Sequence, residues 1–202
     1  MSEILLFHHV QGLTKGLRAL ADALRADGHT VHTPDVFDGE TYDSIEEGFA
    51  ALESRGGPEA MMAMADELVA TLPDELVYIG ISLGVMPAQR LAQTRPGAEG
   101  AVLIAACVPT EAFGGAELGS EEPGPGWPAG VPVQVHGTER DPFFAGEGDI
   151  DAARDLVAAT SDGELFIYPG DGHLFVDSSL PDHDAAATAL VVERVRGLLA
   201  RL

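Results

Sequence analysis

The feature that most limits what this chain can fold into is a repeated alternation. Short apolar runs are each followed by a longer stretch of helical periodicity. Residues 3–8 (EILLFH), 30–34 (TVHTP), 76–81 (LVYIGI), 101–106 (AVLIAA), 131–136 (VPVQVH) and 164–168 (ELFIY) are the runs. In most of them the apolar side chains are consecutive, the pattern of strands covered on both faces. Between them, Thr14 caps a helix expected to reach about Asp27, with Leu17, Leu20, Ala21 and Leu24 at helical spacing and Gly28 as its stop. Pro58 stands where a second helix begins. Its face Met61, Met64, Ala65, Leu68 and Leu72 reads as core packing rather than a cofactor site. A third runs from Leu83 to Arg95 and ends at Pro96. Two more are expected near 150–160 and over about 183–201. Residues 39–57 are polar and carry no clear pattern, and the Gly/Pro/Glu-rich stretch 109–130 reads as a surface loop. Strands alternating with helices imply an α/β fold: a mostly parallel sheet with helices on both faces. A length of 202 residues suits one domain, 1–202. In such sheets reactive groups gather in the loops at the carboxyl ends of the strands.

Composition narrows the partners. The chain has 33 acidic and 11 basic residues, a formal net charge of −22, so nucleic acid and anionic membrane surfaces are repelled. A solvated acidic surface that favours solubility accounts for this charge. Adaptation to high salt is the sharper alternative, and it predicts a melting temperature that rises with added KCl. The single cysteine, Cys107, allows no intrachain disulfide and fits a reducing cytoplasm. The opening MSEILLFHHV lacks the features of a signal peptide, and no apolar run approaches the ~18–20 residues that span a bilayer. These features point to a cytoplasmic chain acting on a small molecule, as a monomer or homodimer.

The chemistry is concentrated at three strand ends. Gly80-Ile81-Ser82-Leu83-Gly84 is a G-x-S-x-G string placed between the strand LVYIGI and a helix. That strand–turn–helix context is what a nucleophile elbow requires, and it would aim the Leu83 N–H at an oxyanion. A serine hydroxyl needs a base to take its proton and a third group to orient that base. Asp141 follows the strand VPVQVH and His173 follows ELFIY, in the order Ser, acid, His. Ser82, Asp141 and His173 are therefore the candidate triad. After the first strand, Val10 is the candidate second oxyanion donor, with Gly12 permitting the turn into the helix. His9 is expected beside the active site, tuning substrate binding. Trp127 and Phe143–Phe144 fall in loops near the strand ends, where they can line an acyl pocket or cover the core.

Other residues near these positions read differently. Glu139 is an alternative acid in a less favourable register. Asp171 and Asp177 read as solvated loop residues and His183 as a surface residue, while His29, His32 and His136 read as structural. The pair His8-His9 does not make a metal site: neighbours on an extended chain point to opposite faces, and no carboxylate or Cys cluster accompanies them. No cofactor is expected. Cys107, in a different class of α/β protein, would need a base that the flanking VPTEAF does not supply.

These residues resemble the dienelactone hydrolase family of α/β-hydrolases. The likeness runs through HHVQGLTKG, HTVHTPDVFDG, GISLG, HGTERD and GDGHLF, nearly the whole chain. The resemblance implies an α/β-hydrolase fold without a lid domain, an eight-stranded type of sheet, no metal, and ester or lactone hydrolysis. It assigns Ser82, Asp141 and His173 as the triad, with Val10 and Leu83 as oxyanion donors. Three positions depart from the family. Ser82 stands where its best-known members carry Cys, His9 where they carry Glu, and Asp177 or a neighbour where they carry a substrate-binding Arg. The expected activity is a serine esterase acting on a small neutral ester, lactone or thioester. The alternative is a catalytically silent relative that binds a small ligand.

Overall fold

A computed structural model describes residues 1–113 and 126–202. The middle of the loop expected over 109–130 lies outside the described residues. Six strands are present among them: β1 (Glu3–Phe7), β2 (Thr30–His32), β3 (Leu76–Ile81), β4 (Ala98–Ile104), β5 (Val133–Thr138) and β6 (Gly163–Tyr168). They form one sheet in the order β2-β1-β3-β4-β5-β6, and every neighbouring pair is parallel. The resemblance implies an eight-stranded type of sheet; among the described residues the sheet has six strands. Between β2 and β3 the chain forms helices instead of further strands.

The helices are α1 (Lys15–Ala26), α2 (Ile45–Ser54), α3 (Gly57–Val69), α4 (Val85–Thr94), α5 (Asp149–Ala159) and α6 (Ala185–Leu199). The alternation of side chains along each strand divides the core. Ile4 and Leu6 of β1 join α1 and α6 on one face, while Leu5 and Phe7 join α3, α4 and α5 on the other. Burial on both faces explains why the strands read as unbroken apolar runs. Among the described residues no helix is long and apolar enough to cross a membrane.

Two local signals decide the segment without a clear pattern. Ser44 caps α2 by accepting a hydrogen bond from the Glu47 N–H at 3.2 Å, and the Glu47 carboxylate reaches back to the Asp43 N–H, also at 3.2 Å. This is a variant of the S-x-x-E arrangement that starts helices, with Glu47 reaching the N–H one residue before the cap, and it is diluted in the sequence by its acidic and glycine neighbours. Gly48 lies against the loop after β1, where a Cβ would stand 2.2 Å from the Val10 carbonyl oxygen. Helix α2 thereby roofs the edge of the sheet where β1 and β3 separate. The chain runs outward from β1 to β2, then returns across β1 to β3, so the crevice of the fold opens at this switch point.

Candidate active site

Ser82 leaves β3 in a 3-10 turn (Ser82–Gly84) and carries a φ of +50°. A non-glycine residue in this region is strained by about 1–3 kcal/mol and stays there only when its surroundings impose it. The flanking glycines show how. A Cβ on Gly80 would stand 2.4 Å from the Gly84 carbonyl oxygen, and one on Gly84 would stand 2.4 Å from the Phe7 carbonyl oxygen. The turn therefore fits only with hydrogen at both positions, and it holds the Ser82 side chain clear of the sheet.

The serine Oγ lies 2.8 Å from His173 Nε2, and His173 Nδ1 lies 2.7 Å from Asp141 Oδ2. An ionised aspartate only accepts, so Nδ1 carries the proton and donates it to Asp141. Nε2 then offers its lone pair to the Ser82 hydroxyl. Asp141 is itself anchored by the Phe143 N–H, which donates to Oδ1 at 2.8 Å. The Phe143 ring packs on the imidazole with centroids 4.6 Å apart. The loop bearing His173 is held from two sides. Asp182 accepts from the His173 N–H at 3.1 Å, and the Thr138 hydroxyl donates to the Gly172 carbonyl at 3.0 Å. Glu139 is exposed and paired with Arg140, away from this chain of bonds.

A cavity of about 280 Å³ adjoins Ser82 and His173. Its walls are mainly apolar, from Ile45 and Phe49 of α2, Leu83 and Met86 behind the elbow, and Phe143 opposite, with Glu147 and Asp149 closing one side. Leu83, one of the two expected oxyanion donors, lines this cavity, and Val10 packs in the same apolar cluster as Leu83. Neither backbone N–H donates to an acceptor among the described residues. Among the described residues, both amides are therefore left with a free donor for an acceptor in the cavity.

The structure does not bring His9 or Trp127 into the cavity among the residues described. His9 is fully buried, with its Nε2 2.8 Å from Asp177 Oδ2 and its Nδ1 accepting from the Gln11 N–H at 3.2 Å. It braces the loop that carries Val10. The Trp127 indole N–H donates to the Val131 carbonyl at 2.8 Å, and its ring packs against the core.

Asp177 is also not the solvated residue that its polar surroundings suggest: it is fully buried, and it accepts from His9, from the Thr14 hydroxyl and from Ser179 N–H and Oγ. Burial alone would raise its carboxyl, but the bonds from His9, Ser179 and Thr14 outweigh it and hold the group at about 2. Two of the positions that depart from the family, His9 and Asp177, are thus joined in one contact.

The other histidines have separate partners. His8 accepts from the Val36 N–H at 3.0 Å, and burial lowers it to about 4, so it stays neutral. His136 is buried beneath Phe166 and Tyr168 and lowered to about 3 by the same cause. Burial pushes the Cys107 thiol up to about 12, leaving no thiolate for nucleophilic attack. Among the described residues no group of His, Cys, Asp and Glu has the arrangement of a metal site.

A parallel sheet with its acid–base groups at the strand ends beside a glycine-flanked serine defines an α/β-hydrolase. The dienelactone hydrolase family model matches residues 1–202, and the chain belongs to that family of hydrolases, which act on ester bonds. Solved structures share the fold at low identity. A candidate dienelactone hydrolase from Klebsiella pneumoniae subsp. pneumoniae is 16% identical, with 100% of this chain and 88% of that one covered and a TM-score of 0.72. A dienelactone hydrolase-like promiscuous phosphotriesterase from metagenomic libraries is 17% identical, covers 100% and 87%, and has a TM-score of 0.69. A thioesterase from the prodiginine biosynthetic pathway in Streptomyces coelicolor is 15% identical, covers 97% and 85%, and has a TM-score of 0.59. Comparison with curated proteins gives no match.

Proposed function

We propose that residues 1–202 form one serine hydrolase domain that cleaves a small ester, lactone or thioester through an acyl-enzyme on Ser82. The observation that carries this reading is the unbroken run Ser82 Oγ, His173, Asp141, with both contacts under 3 Å, at the wall of an apolar cavity. In the first step Ser82 attacks the acyl carbonyl as His173 Nε2 takes its proton. Asp141 holds the imidazole in the Nδ1–H tautomer and stabilises the imidazolium. The Val10 and Leu83 amides, which bond no other acceptor among the described residues, receive the oxyanion. His173 then gives its proton to the leaving alkoxide or thiolate, and afterwards activates water to release the acid. A cavity of about 280 Å³ with mainly apolar walls suits a small acyl group. The buried lone cysteine and the acidic composition suit work in the cytoplasm on small molecules.

Hydrolysis of p-nitrophenyl acetate tests the reading. Ser82→Ala and His173→Ala should each lower kcat by roughly 10³-fold or more, and Asp141→Asn by a comparable factor. Turnover by Ser82→Ala equal to wild type would overturn it.

A further inference from the structure

Glu147 and Asp149 form a side of the cavity that no Lys or Arg faces among the described residues, and His173 is the one basic group that shares the cavity with them. Among the described residues neither carboxylate is ion-paired with Lys or Arg, and residues 114–125 contain no Lys, Arg or His. The basic side chains are committed elsewhere. Arg18, Arg25, Arg55, Arg90, Arg95, Arg140, Arg154, Arg196 and Arg201 are in ion pairs with other acids. Arg194 lies over the Phe166 ring, and Lys15 lines a different cavity, at the start of α1. Asp149 accepts one bond from the Cys107 N–H at 3.1 Å. Burial raises its carboxyl most; the Cys107 N–H and the His173 imidazole draw it back, and the charges of Glu147 and Asp141 raise it again, leaving it raised on balance. A carboxylate that is poorly solvated and beside another negative charge gains when a cation approaches. The same cavity is lined by Phe49 and Phe143, and aromatic rings attract cations to their faces. The net charge of −22 draws cations toward the molecule and repels anions.

We propose that the cavity beside Ser82 selects esters bearing an ammonium group, with Glu147 and Asp149 as its charge-selecting residues. The inference rests on the serine hydrolase reading above and names the substrate class of that site. An acyl or alkoxy arm reaching from the Ser82 carbonyl position along the cavity would set its positive end between the two carboxylates and the two rings. An ester carrying a carboxylate would meet only like charge there.

The test uses two p-nitrophenyl methylphosphonates that differ only in one alkoxy arm, 2-(trimethylammonio)ethyl against the isosteric 3,3-dimethylbutyl. Each phosphonylates the serine: a bond forms from Ser82 Oγ to phosphorus, p-nitrophenolate leaves with the P–O bond electrons, and His173 takes the hydroxyl proton. Intact mass followed over time at low salt gives the second-order rate for each reagent. The cationic reagent should react at least about tenfold faster with the wild type. That ratio should drop below about threefold in the double variant Glu147→Gln with Asp149→Asn. If the double variant does not fold, Glu147→Lys, at an exposed position, should by itself push the ratio below one. Equal rates for the two reagents in the wild type, or a ratio unmoved by the substitutions, would overturn the charge selection while leaving the activated serine intact. No adduct from either reagent would remove the serine reading, and this inference with it.

Discussion

Replacing Asp177 by Asn removes one negative charge from a fully buried position and leaves the side-chain volume nearly unchanged. Its effect therefore isolates what the carboxylate does between the loop after β1 and the loop after His173. The two oxygens of Asp177 accept four bonds: from His9 Nε2 and the Thr14 hydroxyl on Oδ2, and from Ser179 N–H and Oγ on Oδ1. An amide has one accepting oxygen. The two hydroxyls can rotate to accept from its NH₂, but the Ser179 N–H cannot. His9 cannot exchange its tautomer, because Nδ1 already receives the Gln11 N–H. At least one buried donor is left without an acceptor, and bonds to a charged group are replaced by neutral ones.

At about 1–3 kcal/mol for each orphaned donor and a further increment for the lost charge, the expected cost is roughly 2–4 kcal/mol. For a chain of this length that lowers the melting temperature by roughly 5–12 °C. The difference should depend on pH with a definite sign. The folded carboxyl is held at about 2 against an ordinary 3.8. Its ionisation thus favours the fold above pH ~4, and that contribution, about 2 kcal/mol, is lost as the pH falls toward 2. Thermal unfolding followed by circular dichroism at neutral pH, with urea titrations at descending pH, measures both effects. A variant melting within 2 °C of wild type at neutral pH would refute the reasoning. Gly16→Ala probes the same place from the other side, since its Cβ would fall 1.8 Å from Asp177 Oδ1, and it should destabilise comparably.

Three further outcomes follow from the geometry. Gly84→Ala should abolish esterase turnover and lower the melting temperature, because the added Cβ meets the immovable backbone oxygens of Phe7 and His8 at 2.4 and 2.7 Å; normal activity in that variant would contradict the account of the elbow. Phe143→Ala should lower kcat/KM roughly tenfold by loosening the imidazole it packs against, as steady-state kinetics would reveal. Cys107 should react with a disulfide reagent at neutral pH orders of magnitude more slowly in the native protein than in urea, since its buried thiol is held up to about 12.

The strands and most helices were legible because burial on two faces writes unbroken apolar runs and burial on one face writes a helical stripe. Helix α2 was harder: its inner side is marked by Ile45, Gly48, Ala51 and Leu52, two of them small, and the capping pair Ser44 and Glu47 was the usable signal. Among the described residues the sheet is smaller than the type implied by resemblance, because the residues between β2 and β3 satisfy their backbone within helices. At the site, chain order placed Ser82, Asp141 and His173 in post-strand loops, and the fold brings them within hydrogen-bonding distance. Position along the chain said nothing of depth. Asp177 reads as a loop acid until the fold closes His9, Thr14 and Ser179 around it. His9 and Trp127 lie near strand ends in sequence, yet one turns to Asp177 and the other caps the core. Glu147 and Asp149 gave no sign of their place, since acids are common in this chain and only the turn after Phe143 aims these two at the cavity.

The most direct measurement of the central claim is the intact mass of the wild type, Ser82→Ala and His173→Ala after incubation with a fluorophosphonate. The account predicts one adduct on the wild type and none on either variant, since the reagent needs both a serine in reach and a base to take its proton. Absence of an adduct on the wild type, or an adduct of equal yield on Ser82→Ala, would contradict it.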